Sequence, residues 1–124
     1  MENLQHEELN IQVETHASGR LQLAWLGKST ARMPGGVLVP FFRKIVDEAA
    51  RRKVEVDNDL TKLQHLNSST LAAMIGIIRL FNEAKVPMRI VYDPKVGWQE
   101  RSIDALRVLE TGSSVIRFEA NRNA

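Results

Sequence analysis

Residues Asp59 to Leu71 read DLTKLQHLNSSTL and lie between a strand-like apolar run and the most apolar helical pattern in the chain. Asn67, Ser68, Ser69 and Thr70 form an unbroken run of side chains suited to a helix start, where a side-chain oxygen accepts a backbone N–H that has no partner in the helix. Leu71, Met74, Ile75, Ile78 and Phe81 follow at the three-and-four spacing of a buried helix face. The spacing therefore predicts a helix that begins at this run. Upstream, apolar and acidic residues alternate from Val54 to Asp57, and the apolar pattern continues through Leu60, Leu63 and Leu66. It predicts one central strand that delivers the run to the surface. The polar run has two readings. It caps the helix, or it is also a site, since free N–H groups and the positive end of the helix dipole favour an anion or a phosphorylated hydroxyl.

Towards the N-terminus, Ile11 and Val13 and then Leu21, Leu23 and Trp25 alternate with polar or small residues around the turn Ala17-Ser18-Gly19-Arg20. This predicts a β-hairpin. Residues 1–9, with Glu2, Glu7 and Glu8 and little to bury, read as a loose tail. Gly27-Lys28-Ser29-Thr30 ends like a phosphate-binding loop, but Gln22 stands where that loop needs its first glycine. Met33 to Gly36 reads as loop, with Pro40 in the first turn of a helix that buries Phe41, Phe42, Ile45 and Ala49.

Beyond the polar run, Lys85-Val86-Pro87 ends the helix, Met88 to Tyr92 reads as a strand and Asp93-Pro94 as a turn. Gln99 to Leu109 predicts a last helix burying Ile103 and Leu106, stopped by Thr111-Gly112, and Val115, Ile116 and Phe118 a last strand. Gln99 falls on a helix that the linear order sets far from the polar run. The predicted order is β-β-α-β-α-β-α-β, an α/β fold with helices on one side of a mixed sheet, because a hairpin start excludes a wholly parallel one. The expected domain spans residues 10–119, with tails at 1–9 and 120–124.

The totals narrow the chemistry. With 124 residues the chain is the size of one domain. A net charge of +2, with basic residues scattered apart from Arg51-Arg52-Lys53 at a helix end, gives no argument for nucleic acid. The absence of cysteine excludes disulfides, thiolate metal sites and thiol nucleophiles. MENLQHEELN has neither the basic region nor the apolar run of a secretory signal, and no stretch approaches the roughly eighteen apolar residues of a membrane span, so the expected compartment is the cytoplasm. His6, His16 and His65 lack metal-ligand spacing, and no G-x-S-x-G elbow surrounds Ser68, so neither a cofactor nor a catalytic residue is expected. Asp57 and Asp59 read as rim residues at a strand end. Tyr92 and Trp98 either anchor a partner or pack beneath the last helix.

DLTKLQHLNSSTL resembles the strand, loop and helix-start motif of STAS domains, whose anti-sigma factor antagonists read DLS, an apolar residue or two, then D-S-[ST]-G and a long apolar helix. Its LNSS form is also similar to the LNTSS of small STAS-like regulators of diguanylate cyclases. Asn67 stands for the motif Asp and Thr70 for its Gly, and the acidic pair of the antagonists' G-E-L-D segment is absent at Lys28 to Thr30. The resemblance implies a non-enzymatic partner-switching module, phosphorylated on Ser68 (rivals Ser69 and Thr70) by a GHKL-type protein kinase and reset by a metal-dependent Ser/Thr phosphatase. A diguanylate cyclase is a possible output. The implied partner surface is Asp59, His65, Asn67, Ser68, Ser69, Thr70 and Leu71. The alternative is a small-ligand or nucleotide-binding module that uses the same helix N-terminus.

Overall fold

A computed structural model describes residues 1–110, 112 and 114–121. The strands are β1 (Leu4–His6), β2 (Leu9–Thr15), β3 (Leu21–Ser29), β4 (Val56–Asp59), β5 (Leu63–Leu66), β6 (Met88–Tyr92) and β7 (Ile116–Ala120). The helices are α1 (Gly35–Arg52), α2 (Ser68–Ala84) and α3 (Gly97–Leu106), the last continued by a 3-10 turn at Arg107–Leu109. The sheet order is β1-β2-β3-β4-β6-β7, antiparallel from β1 to β3 and parallel from β3 onward. This is the expected mixed α/β domain.

The period-two alternation of each strand assigns its faces. Ile11, Leu21, Leu23, Trp25, Val56, Met88, Ile90 and Ile116 are buried together with Phe42, Ile45, Met74, Ile78, Phe81 and Ile103 from the helices. Trp25 stacks on Phe42, whose edge meets Phe81, so one aromatic row ties β3 to α1 and α2. The opposite sheet face carries Gln12, Glu14, Gln22, Ala24, Asp57, Asp59, Arg89 and Val91 around a shallow polar groove.

Five expectations are corrected. The nine N-terminal residues are not a loose tail: Leu4–His6 pairs antiparallel with β2, register Leu4↔Ile11 and His6↔Leu9, and Leu9 is buried. Glu7 takes a left-handed φ of 52° to close that tight turn, and a strand of three residues leaves too little alternation to be legible. Ala120 belongs to β7 rather than to a tail, and residues 122–124 lie outside the described residues. The single strand expected from Val54 to Leu66 is two. β4 ends at Asp59, whose Oδ1 accepts from Thr61 N–H (2.9 Å) and Thr61 Oγ1 (2.6 Å), and this turn lifts the chain from β4 before β5 re-enters beside the far end of β3. The apolar residues continue across the turn, so the pattern alone did not reveal the break. Lastly, α1 starts at Gly35, which places Pro40 inside the helix rather than in its first turn. The position is exposed, and the residue four back, whose carbonyl loses its donor, is the exposed Gly36, open to water. The helix stop expected at Thr111-Gly112 comes earlier, at the 3-10 turn, and Thr111 lies outside the described residues.

Gly27 is explained by the fold rather than by a phosphate. It has φ of 82°, a Cβ there would collide with the Glu8 carbonyl oxygen, and the β3–β5 register shifts between Gly27 and Lys28. Only glycine fits such a bulge. Ser29, the third residue of the apparent loop, is buried and belongs to the site.

Candidate functional site at the start of the second helix

β5 runs into α2 through Asn67, whose backbone N–H still bonds the Ser29 carbonyl (3.0 Å) in the manner of a strand. Its extended φ and ψ of −93° and 174° turn the chain, and its Oδ1 accepts from the Thr70 N–H (2.8 Å) as the helix cap. The same oxygen accepts from Thr70 Oγ1 (2.8 Å), while Asn67 Nδ2 donates to the Ala31 carbonyl (2.9 Å). Thr70 is 0% exposed and Ser29 2%, and their hydroxyls lie 2.7 Å apart. Ser29, Asn67 and Thr70 thus form one buried polar knot that pins the helix start to the end of β3. Buried hydroxyls without partners are costly, and here each has one.

Ser68 and Ser69, between the two locked residues, are exposed, and neither hydroxyl bonds another described residue. The first turn thus presents two free hydroxyls and withdraws the third, a distinction invisible in the string NSST. Leu71 is half-buried, while Thr70, Ala73, Met74, Ile77, Ile78 and Phe81 form the buried face of α2. Asn67→Ala removes the cap and leaves the Thr70 hydroxyl short of an acceptor. It is expected to cost about 1–2 kcal/mol, read as a melting temperature lower by roughly 3–6 °C. An unchanged melting temperature would mean that the knot does not hold the helix start.

The other sequence-selected residues separate. Asp59 serves the turn after β4. Asp57, 5% exposed, pairs on the open sheet face with Arg89 (Nη2 to Oδ2 2.9 Å, Nε to Oδ1 3.2 Å) and lies 3.5 Å from Arg20 Nε. The bonded Asp57 raises the Arg89 pKa above its ordinary value against the opposing effect of burial. Both carboxylates therefore have structural employment, and among the described residues no group of three or more His, Asp or Glu side chains could hold a metal. His65 is exposed, with its ring edge-on to Trp98 at 5.9 Å. Tyr92 is buried and its hydroxyl accepts from Arg107 Nη2 (2.6 Å).

One residue of the site was placed elsewhere by sequence reasoning. Gln99 is not remote from the polar run: it is 1% exposed, its Nε2 donates to the Leu60 carbonyl (2.8 Å) and reaches that of Leu63 (3.4 Å), and its Oε1 accepts from the Asp93 N–H (2.8 Å). It clamps the β6–α3 loop and α3 onto the segment that leads to Asn67. A glutamine at the start of an amphipathic helix gives no sequence signal for such a role. No described helix is long and apolar enough to cross a membrane.

No family model and no curated protein matches the sequence. Among solved structures, the chain is similar to one in the crystal structure of diguanylate cyclase SiaD in complex with its activator SiaC from Pseudomonas aeruginosa: TM-score 0.60, 22% identity, 98% of this chain and 100% of that one covered. SiaC of Pseudomonas aeruginosa is similar at TM-score 0.54 and 23% identity over 98% of this chain and 100% of that one. A DUF3478-family protein with a SpoIIAA-like fold from Shewanella loihica follows at TM-score 0.54 and 15% identity over 98% and 91%. The STAS-like fold that the resemblance of DLTKLQHLNSSTL implied is thus the fold of the whole chain, a SpoIIAA-like domain shared with SiaC.

Proposed function

We propose that the chain is a non-enzymatic phospho-switch that governs a protein partner, with a diguanylate cyclase as its output, and that Ser68 is the residue modified. The observation that carries the reading is the geometry of the first turn of α2. Ser68 is exposed at the first helical position, directly after its cap, while the Thr70 hydroxyl is 0% exposed and spoken for on every side. A kinase needs a hydroxyl that can enter its own active site. A phosphate at the helix start meets the positive end of the dipole, favourable by about 0.3–1 kcal/mol, so modification alters the surface and leaves the fold in place. Similarity to an activator of a diguanylate cyclase favours that output over a sigma-factor pathway.

In this reading a GHKL-type kinase places the phosphate, a metal-dependent phosphatase removes it, and both act in the cytoplasm. Asp59, His65, Asn67, Ser68, Ser69, Thr70 and Leu71 define the recognition region, with Asn67 and Thr70 shaping it from beneath. The test incubates the chain with the kinase encoded nearest its gene and locates phosphate by mass spectrometry. Ser68→Ala should abolish incorporation and Ser69→Ala preserve it, with far-ultraviolet helicity unchanged in phosphorylated wild type. Phosphate on Ser69 or Thr70 with Ser68 bare would overturn the assignment. Stabilisation by nucleotides or inorganic phosphate, without modification by any kinase, would favour the ligand-binding alternative.

A further inference from the structure

We infer that Met33 is a reversible oxidation site whose modification is felt at the start of α2. Its side chain is 83% exposed, the most open of the large apolar side chains among the described residues. Met1 is 48% exposed, while Met74 and Met88 lie in the core at 4% and 2%. Oxidation of a thioether requires contact between its sulfur and a small oxidant, so exposure ranks the four methionines, with Met33 first.

Two anchors hold the segment that carries Met33. On one side, the Ala31 carbonyl accepts from Asn67 Nδ2 (2.9 Å), the amide whose oxygen caps α2. On the other, the buried Pro34 leads into α1, and its carbonyl accepts from the N–H groups of Val37 (3.0 Å) and Leu38 (2.8 Å). Only Arg32 and Met33 lie between these anchors, both exposed. The Met33 Cα is at most about 7 Å from that of Ala31 by the reach of an extended chain. A change at Met33 is therefore one short, tethered segment away from the side chain that caps α2.

The oxidant is a hydroperoxide. Its O–O bond breaks and an S–O bond forms: sulfur gives up two electrons, and the transferred oxygen passes its proton to the departing hydroxide, which leaves as water. The product is a polar side chain with an acceptor oxygen in place of a flexible apolar one. In the core that change disrupts packing, whereas at Met33 the new dipole is hydrated and the fold is left in place. Displacement of the loop moves the Ala31 carbonyl, and the Asn67 amide carries that movement to the first turn of α2. Met33 is open to oxidation whether or not Ser68 carries a phosphate, so this input is separate from the switch.

The test treats the full chain with graded hydrogen peroxide, maps sulfoxides by mass spectrometry of peptides, and records backbone amide shifts by nuclear magnetic resonance. Met33 should oxidise at close to the rate of free methionine and about tenfold or more faster than Met74 and Met88. The melting temperature should be unchanged, amides should shift at Thr30 to Gly36 and at Asn67 to Thr70 but not in β7, and methionine sulfoxide reductases should restore the original spectrum. Met33→Leu should abolish the peroxide-induced shifts at Asn67 to Thr70. Oxidation of Met74 or Met88 as fast as Met33, or a lower melting temperature once Met33 is oxidised, would overturn the assignment of a surface site. Unmoved amides at Asn67 to Thr70, or shifts there that persist in Met33→Leu, would overturn the coupling to α2, and a sulfoxide that the reductases leave in place would overturn its reversibility.

Discussion

Gln99→Glu is expected to destabilise the domain by about 4 kcal/mol near neutral pH and to approach wild-type stability as the pH falls towards 4. One glutamate oxygen can still accept from the Asp93 N–H, as Gln99 Oε1 does at 2.8 Å. The other replaces an N–H₂ that donates to the Leu60 carbonyl at 2.8 Å and reaches Leu63 at 3.4 Å. An ionised carboxylate there faces two carbonyl oxygens with no proton between them, in a site 1% exposed. Burial and the surrounding acceptors both favour the protonated acid, which can donate to Leu60, so the folded-state pKa of the new glutamate lies above its unfolded value of about 4.3. A rise of about three units corresponds to about 4 kcal/mol at 1.36 kcal/mol per unit.

The sign follows from which state holds the proton. A raised folded pKa means that the folded variant binds more protons, so the stability held below the unfolded pKa is lost as pH rises through the folded one. Urea unfolding of wild type and variant from pH 4 to pH 8 measures the difference at each pH, which cancels the acid sensitivity of the shared carboxylates. A difference under about 1 kcal/mol at pH 7, or one that does not shrink on acidification, would show that Gln99 is not a clamp.

Gln99 also marks where the sequence stops being informative. Periodicity recovered the hairpin, the two long helices, β6 and the mixed character of the sheet, because each buries one regular face over several residues. It failed where the determinant is short or distant. β1 has three residues, and the turn at Asp59 to Thr61 interrupts an apolar pattern that runs on past it. The capping run was legible as a helix start, since Asn67 is an N-cap by chemistry. That Thr70 faces Ser29, forty-one positions earlier in the chain, was not, and this contact separates the hidden hydroxyl from the presented ones. Likewise, Trp98 and His65 are thirty-three positions apart, a separation at which a helix or strand period carries no information.

Ser68→Glu is expected to weaken binding to the output partner by about a hundredfold or more, a loss of about 2.8 kcal/mol. Ser68 is exposed in the free chain, so its carboxylate is hydrated there and the fold tolerates it at the helix start. Covered by a partner, the same carboxylate loses water without gaining a cation, and an imperfectly paired interfacial charge costs several kcal/mol. Authentic phosphoserine should weaken binding further, because it carries about −1.5 to −2 charge and three acceptor oxygens against one charge and two. The control places the same charge at Ala50→Glu. Ala50 is exposed on α1 and lines a groove with Ala84 and Lys85, at the far end of α2. Seventeen helical residues separate that end from Ser68, about 25 Å at 1.5 Å each. This exceeds the screening length of about 8 Å at physiological salt, so affinity should be unchanged there. Calorimetric titration of the four proteins reads the outcome. Equal affinity for wild type, Ser68→Glu and phosphoserine protein would refute the switch, and equal losses from Ser68→Glu and Ala50→Glu would show that net charge, rather than the start of α2, governs recognition.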